Sequence, residues 1–472
     1  MKKRFNITQL LDINFEKLEQ EIFEYICEIG RCLTIEMLQQ LDEYLMKYRN
    51  KKRYKAKQIR KTTVKTVYGE VEYSRRMYYD NEKSEYIYLL DDKLQIERIG
   101  TISANLSKKI AEACINMPFR KAAETISSNT GQSISYHGIW NVVQQVGNII
   151  QADEEILLNE MKAENTRGDI ESKIIFMEAD GVYINIQKDR KKAKSQEIKL
   201  STIYTGWYNN GSSLSDKKVF AGMETSKTFN QKTEALIQSV YDTDATQLRV
   251  VNGDGASWIK NTYEPNQIFQ LDRFHIKKEI KRCILDKNIQ HIVLNHFSNK
   301  KMDDMLDTIE TYINSLDDGK KNKEIKLANN LYSYLSNNYD GLLPWQDQVE
   351  KIPDAPEGVT YKNMGVQENQ NCSLVCMRMK GRKMRWSVEG ANNLVKIIYR
   401  NANGDLDELI ENNKNKINVP INIDYDYVLS SSGVKERVGK GSKYFELFNS
   451  SLPALYYNTT ATSKILNNIK NV

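Results

Sequence analysis

The sequence predicts an α/β core behind a mainly helical N-terminal region, on three observations. Apolar runs that end in an acid recur between residues 174 and 272, as the strands of a buried sheet do. Helical periodicity dominates on either side of that stretch. A dense basic run and a hairpin pattern lie in the N-terminal third. At 472 residues the chain is long enough for two or three domains. Its 40% hydrophobic and 28% charged residues suit a globular protein, and seven prolines leave no room for long Pro-rich linkers. The net charge of +6 is too small to argue a nucleic-acid partner by itself, so the distribution of charge matters more. No run approaches the roughly 18 apolar residues of a membrane span. No apolar run follows the basic Met1–Lys2–Lys3–Arg4, so a signal peptide is not expected and a cytoplasmic protein is. The six cysteines are scattered. Cys372 and Cys376 share a helical face but have no second pair, which favours reduced thiols over structural zinc.

In chain order, residues 14 to 50 read as one or two amphipathic helices. Phe15, Leu18, Ile22, Ile26 and Ile29 are followed by Leu33, Met37, Leu38, Leu41 and Leu45. From Lys47 to Lys65 there are many bases and no acids, with Tyr48 and Tyr54 among them. Such a run suits phosphate contacts, and Lys51, Lys52 and Arg53 are its candidates. Thr62 to Tyr79 alternates around Tyr68–Gly69–Glu70, a hairpin. Helical patterning resumes near Ser103. Met117 to Val146 has the shape of a helix-turn-helix: a short helix opened by Pro118, a polar turn with Gly131 where a left-handed residue is needed, and a second helix capped by Ser135. Tyr136, His137, Trp140 and Asn141 lie at the end of that helix that reads a groove. The competing structural reading is a plain αα-hairpin. A charged helix over about Ala152 to Asn165 leads onward.

The strand Ile174–Asp180 ends in an acid, turns at Gly181 and returns as Val182–Ile186. A third strand follows at Ile198–Thr205. Leu248–Val251 leads into Asn252–Gly253–Asp254–Gly255, and Ile268–Leu271 into Asp272. Acids at strand ends are what phosphodiester chemistry asks for, because hard divalent ions take oxygen ligands on rigid supports. Asp180 and Asp254 fit that role. A third carboxylate comes from Glu368 or from Glu389; Ser387 caps the helix of Glu389 and gives that acid a purely structural explanation. Physical chemistry leaves the two open. From about Lys277 to Asp347 the sequence is helical and reads as an insertion, and the end at Asn467–Val472 reads as frayed. Trp207 and Trp258 read as sheet packing.

From Ile174 onward the chain resembles the ISLre-type bacterial insertion-sequence transposases, which are distantly similar to Mutator-like transposases. The resemblance rests on Glu178–Ala-Asp180–Gly-Val-Tyr183, Gly253–Asp254–Gly-Ala-Ser-Trp258, Leu271–Asp272–Arg-Phe-His275, and the block from Glu368 through Arg378, Arg382 and Met384 to Trp386–Ser387 and Gly390–Ala391. It implies an RNase H-like core with an all-helical insertion, preceded by a DNA-binding region with a helix-turn-helix and a β-hairpin. The catalytic Asp–Asp–Glu then falls on Asp180, Asp254 and, by the spacing to Trp386, Glu368, with Glu389 as the alternative. Where the family usually has Gly-His after that Glu, this chain has Asn369–Gln370. Asp272-x-x-His275 looks like the Asp/Cys-x-x-His element of the wider group, so His275 is expected at DNA phosphate or in the outer shell of the metal. Arg378 and Arg382, in a basic band with Lys380, Lys383 and Arg385, are expected to hold terminal phosphates.

The expected organisation is 1–65 helices and basic run, 66–165 DNA-binding region, 166–285 first part of the core, 286–360 helical insertion, and 361–472 second part with the Glu helix and tail. The expected activity is Mg²⁺- or Mn²⁺-dependent cleavage and joining of terminal inverted repeats to target DNA by a two-ion site. Expected partners are DNA and further copies of the chain, at the nucleoid and away from membranes. Two rivals are a DNA-binding regulator that no longer cuts and a structure-selective nuclease.

Overall fold

The computed structural model describes residues 14–412 apart from 95–97, 100–101, 188–194, 209–210, 212, 261–266 and 317–321; the tail expected at Asn467–Val472 lies outside the described residues. The N-terminal apolar sets form a single helix, α1 (Phe15–Tyr48), started by Asn14, whose side chain accepts from the Lys17 amide. Ile35, Leu38, Leu41 and Leu45 pack it onto Val64, Val71 and Tyr73 of the hairpin β1 (Tyr54–Thr66) and β2 (Gly69–Asp80). That hairpin is longer than the expected one because most of the basic run is strand. Residues 55–61 of β1 are exposed on both faces, so no apolar alternation betrays them. The sheet is completed by β3 (Glu85–Ile87), β4 (Arg98–Ile99) and β5 (Ile102–Ser103), with α2 (Leu89–Leu94) between β3 and β4.

Three helices follow: α3 (Ala104–Asn116), α4 (Phe119–Asn129) and α5 (Tyr136–Lys162). Ser135 caps α5 as expected, accepting from the Gly138 amide at 3.1 Å. The separate charged helix expected near Ala152 is the C-terminal half of α5. Gly131 is not in the left-handed region. It is required for another reason: a Cβ there would lie 2.3 Å from the Tyr68 carbonyl oxygen, where the hairpin turn docks.

After β6 (Ile170–Glu171) comes the central sheet. Its strands are β7 (Ile174–Asn185), β8 (Ser195–Tyr204), β11 (Lys218–Gly222), β13 (Leu248–Gly253) and β14 (Gln267–Leu271), in the spatial order β11-β8-β7-β13-β14. The first three are antiparallel neighbours, whereas β13 and β14 join parallel to β7. The turn expected at Gly181 does not occur. Gly181 pairs with Lys199 in mid-strand, and β8 is the true return. The short strands β9 (Gly206–Tyr208), β10 (Leu214–Ser215), β12 (Tyr241–Asp242) and β15 (Val359–Thr360) form two small accessory sheets with β6. Helix α6 (Ser226–Val240) makes the crossover to β13, and α7 (Ser257–Lys260) follows that strand.

The helical insertion is present as α8 (Arg273–Cys283), α9 (Lys287–Ser298), α10 (Met302–Ser315) and α11 (Asn322–Ser336), around its own core of Ile276, Ile280, Val293, Phe297, Met305, Ile309 and Leu331. The chain returns to the sheet as α12 (Gln367–Gln370), a π-helical turn at Asn371–Cys376, and α13 (Met377–Met379). It closes with α14 (Val388–Asn403) and α15 (Leu406–Asn412). Val142, Val146 and Ile150 of α5 share one apolar core with Ile198 and Leu200 of β8 and with Leu394 and Ile398 of α14. The segment boundary at 165/166 is therefore no gap in packing. Among the described residues no helix is long and apolar enough to cross a membrane.

Candidate functional site

Strand register brings the acids together. Gly253 pairs with Ala179 across parallel strands, which puts Asp254, just past the end of β13, near Asp180 of β7 but not among the donor atoms that converge there. Helix α12 brings Glu368 to the same place, and α8 brings His275: single donor atoms of Asp180, His275 and Glu368 all lie within 4.8 Å of one another. Burial pushes the Asp180 carboxyl up to about 6, with the charges of Asp254 and Glu368 adding to the shift and His275 opposing it. Asp254 is held by its own turn, accepting at 2.9 Å from the Ala256 amide, while Gly255 at φ +90° lets the chain reverse. Glu389 is exposed in the first turn of α14 behind its Ser387 cap, and does not belong to the group.

The support beneath these groups is a buried polar layer. Glu178, on the same strand as Asp180, is fully buried and accepts from four donors. They are Tyr204 Oη at 2.6 Å, Asn252 Nδ2 at 3.0 Å, and the amides of Gly365 at 3.0 Å and Val366 at 3.1 Å. Burial raises its pKa, and the hydrogen bonds from Tyr204, Gly365 and Val366 oppose that shift. The last two donors tie down the segment just before Glu368. Asn252 Nδ2 also donates to Asp272 Oδ2 at 3.0 Å, and Asp272 Oδ1 caps α8 by accepting from the amides of Phe274 and His275. At the start of the π turn, Asn371 Nδ2 donates to Asp180 Oδ2 at 2.6 Å. A π turn widens the helix by one residue and often marks a functional position. None of these supporting roles is written in the motifs, although an acid at 178 amid a fully apolar strand was a signal. An acid survives such burial only when it is surrounded by donors.

The donor set fits a divalent cation. Two carboxylates and an imidazole suit Mn²⁺ better than Mg²⁺, which prefers oxygen alone. The Nδ1 atom of His275 is shielded from solvent, 3.8 Å from Asp272, and has no hydrogen-bond partner among the described residues. A ring nitrogen of His275 thus lies with the oxygens of Asp180 and Glu368 rather than in an outer layer around them. Replacing Glu178 by Ala should strand two amides and loosen the approach to Glu368. Loss of a partner behind a ligand typically costs about 10- to 100-fold. The expected outcome is a metal affinity, by calorimetry with Mn²⁺, lower by that factor, with unchanged secondary structure; an unaltered affinity removes Glu178 from this role.

The expected DNA contacts separate into two groups. Lys51 and Lys52 are exposed in the turn before β1, and Tyr136 and His137 are exposed at the start of α5, with Arg120 over the Tyr136 ring at 5.5 Å. Asn141 is half-buried. Arg53 is instead committed internally, to Asp80 at 2.9 Å and Glu82 at 2.6 Å. Arg378 is also not available for phosphate. It is buried, its Nε donates to the Cys114 carbonyl at 2.6 Å, and its guanidinium lies against the rings of both Phe119 and Trp386. That burial lowers its pKa to about 10. Its charge tethers the Glu368 segment to α3 and α4. The side chain of Arg382 lies outside the described residues, while Lys380, Lys383 and Arg385 of the same band are exposed. Trp207 and Trp258 are buried packing residues, as expected.

A model of an uncharacterised protein family, UPF0236, matches residues 10–416. A UPF0236 protein of Caldanaerobacter subterraneus subsp. tengcongensis, whose name joins eleven loci, is 23% identical over 438 residues, covering 90% of this chain and 85% of that protein. Another from the same organism, named for four loci, is 22% identical with 90% and 85% covered. A UPF0236 protein of Streptococcus gallolyticus, named for the vanSb 3′ region, is 24% identical over 409 residues, covering 83% of this chain and 84% of that one.

Proposed function

This chain belongs to the uncharacterised protein family UPF0236, and we propose that it is a DDE transposase of an insertion sequence, cutting and joining DNA with divalent metal ions. The observation that carries the reading is the convergence of Asp180, Glu368 and His275 within 4.8 Å, with Asp254 next in register. A mixed sheet in which two parallel strands extend an antiparallel trio, with acids at adjacent strand positions, supports an RNase H-like core. The names of the relatives add a different kind of support. One protein shared by eleven loci of a single genome is the distribution that a mobile element leaves.

Divalent ions bound here supply an acidified water or 3′-hydroxyl as nucleophile and stabilise the departing 3′ oxygen. Asp180 and Glu368 would hold such an ion, with Asp254 nearby at the end of β13. His275 completes the set, and Glu178 and Asn371 keep the carboxylates aimed. Because the nucleophile is an oxygen of water or DNA, no side chain needs to bond covalently to the substrate. Lys380, Lys383 and Arg385 flank the Glu368 segment and suit phosphate contacts near the cut, while the exposed start of α5 and the basic turn at Lys51–Lys52 suit recognition of terminal repeats.

The test is cleavage and strand joining on DNA carrying the terminal repeats that flank the gene, with Mn²⁺ or Mg²⁺. Wild type should cut and join. Asp180→Ala, Asp254→Ala and Glu368→Ala should bind DNA without cutting it, and Glu389→Ala should remain active. DNA binding without cleavage by wild type would make the protein a regulator. Cleavage of branched DNA without regard to the repeats, and without joining, would make it a nuclease.

A further inference from the structure

Helix α1 presents a second apolar face that nothing described so far uses. Its inner side packs on the hairpin through Leu38 and its neighbours. On the outer side, Phe15, Ile22, Ile26, Ile29, Leu33, Met37 and Tyr44 are 39–77% exposed. At 3.6 residues per turn these seven fall within an arc of roughly 80°, a stripe about 44 Å long that the exposed Glu19 and Gln40 interrupt near its two ends. Side chains of this size at that exposure present on the order of 700 Å² of apolar surface, close to the roughly 800 Å² that one partner contributes to a stable interface. A lone stripe of that extent is unusual on a chain that stays alone.

The spacing identifies the partner. The stripe is symmetric about the point between Ile29 and Gly30: Ile26 and Leu33, Ile22 and Met37, and Phe15 and Tyr44 lie at equal distances on either side of it. A helix with such a pattern meets itself best when the second copy runs antiparallel, with the two-fold axis between Ile29 and Gly30. Phe15 then faces Tyr44, Ile22 faces Met37, and Ile26 faces Leu33 of the other copy. A parallel copy can also meet the stripe, but nothing in a parallel pair calls for mirror spacing. A two-fold interface must be self-complementary, and this stripe is. We infer that α1 is a homodimerisation helix, pairing two copies of the chain antiparallel about the Ile29–Gly30 step through its outer stripe. The inference is independent of the carboxylate site, and the pairing needs neither DNA nor metal.

Light scattering of the full-length protein at micromolar concentration, without DNA, tests it. Wild type should have the mass of two chains. The Ile26→Glu, Leu33→Glu double variant should be a monomer, its dimer constant weakened at least about 100-fold because four carboxylates would enter one apolar seam. Its circular dichroism should match wild type. A monomeric wild type, or a double variant that stays dimeric, overturns the inference. Orientation is read by disulfide trapping in a Cys32→Ser, Cys372→Ser background. Ile29→Cys should cross-link two copies under mild oxidation and Phe15→Cys should not; cross-linking of Phe15→Cys overturns the antiparallel pairing even where the glutamate variant fails to fold.

Discussion

Asp180→Asn is expected to reduce DNA cleavage by about 10³-fold or more, since a metal ligand at the reacting centre accounts for several kcal/mol of transition-state stabilisation. The same change should alter how the protein responds to pH and metal. Burial, reinforced by Asp254 and Glu368, pushes the Asp180 carboxyl up to about 6 in the metal-free protein. An acid whose folded pKa is raised lends stability that is fully present below its unfolded value, near 4, and that is lost as pH rises through 6. Above pH 6 the metal-free site therefore holds uncompensated carboxylates, and a divalent ion should restore what was lost. Protons compete with the ion below that point. Thermal unfolding with Mn²⁺ and with a chelator should thus differ more at pH 7.5 than at pH 5, and cleavage should fall as pH drops below 6. In Asp180→Asn the Mn²⁺-induced rise should nearly vanish at both pH values. If Mn²⁺ stabilises Asp180→Asn as much as wild type, Asp180 is not a ligand.

The largest effect on stability should come from Glu154, far from the motifs. It is buried on α5 and accepts from Lys232 Nζ of α6 at 3.1 Å, Lys396 Nζ of α14 at 2.8 Å and Tyr399 Oη at 2.6 Å. Lys396 is fully buried and also meets Glu224 at 2.5 Å. These pairs clamp α5 to the two helices that cover the central sheet, so the helix whose exposed start carries Tyr136 and His137 is rigidly joined to the core. Removing Glu154 would leave the buried Lys232 with only the exposed Glu155 at 2.7 Å and Lys396 with only Glu224. Glu154→Ala is expected to cost about 3–5 kcal/mol, measured by urea unfolding. Glu154→Met combined with Lys396→Met should cost less than Glu154→Ala alone, because the absence of both partners is cheaper than the isolation of one. Equal losses would mean that packing, not charge, sets the cost.

Some features of this protein were determined by local sequence alone. Ser135 and Ser387 announced the starts of α5 and α14, because a cap is a bond between residues three apart. The helical character of the stretch from about Lys277 to Asp347 followed from periodicity, and the place of Asp254 at the end of a strand from the glycines beside it. Other features had no local signature. The strand through Gly181 was legible only once β8 supplied its partner, since Gly in a strand looks like a turn until something pairs with it. Arg53 and Arg378 belonged to basic runs in sequence, yet their counterparts, Asp80 and the Cys114 carbonyl, lie 27 and 264 residues away. Glu368 and Glu389 could not be separated by local physics, because both open helices with an acid in the first turn. Only the folded arrangement of β7, α8 and α12 placed Glu368 beside Asp180 and His275 and left Glu389 in solvent. Residues that cap, turn or alternate act on near neighbours and can be read from the chain. A metal-binding cluster is a property of distant segments meeting, and tertiary packing decides which candidates meet.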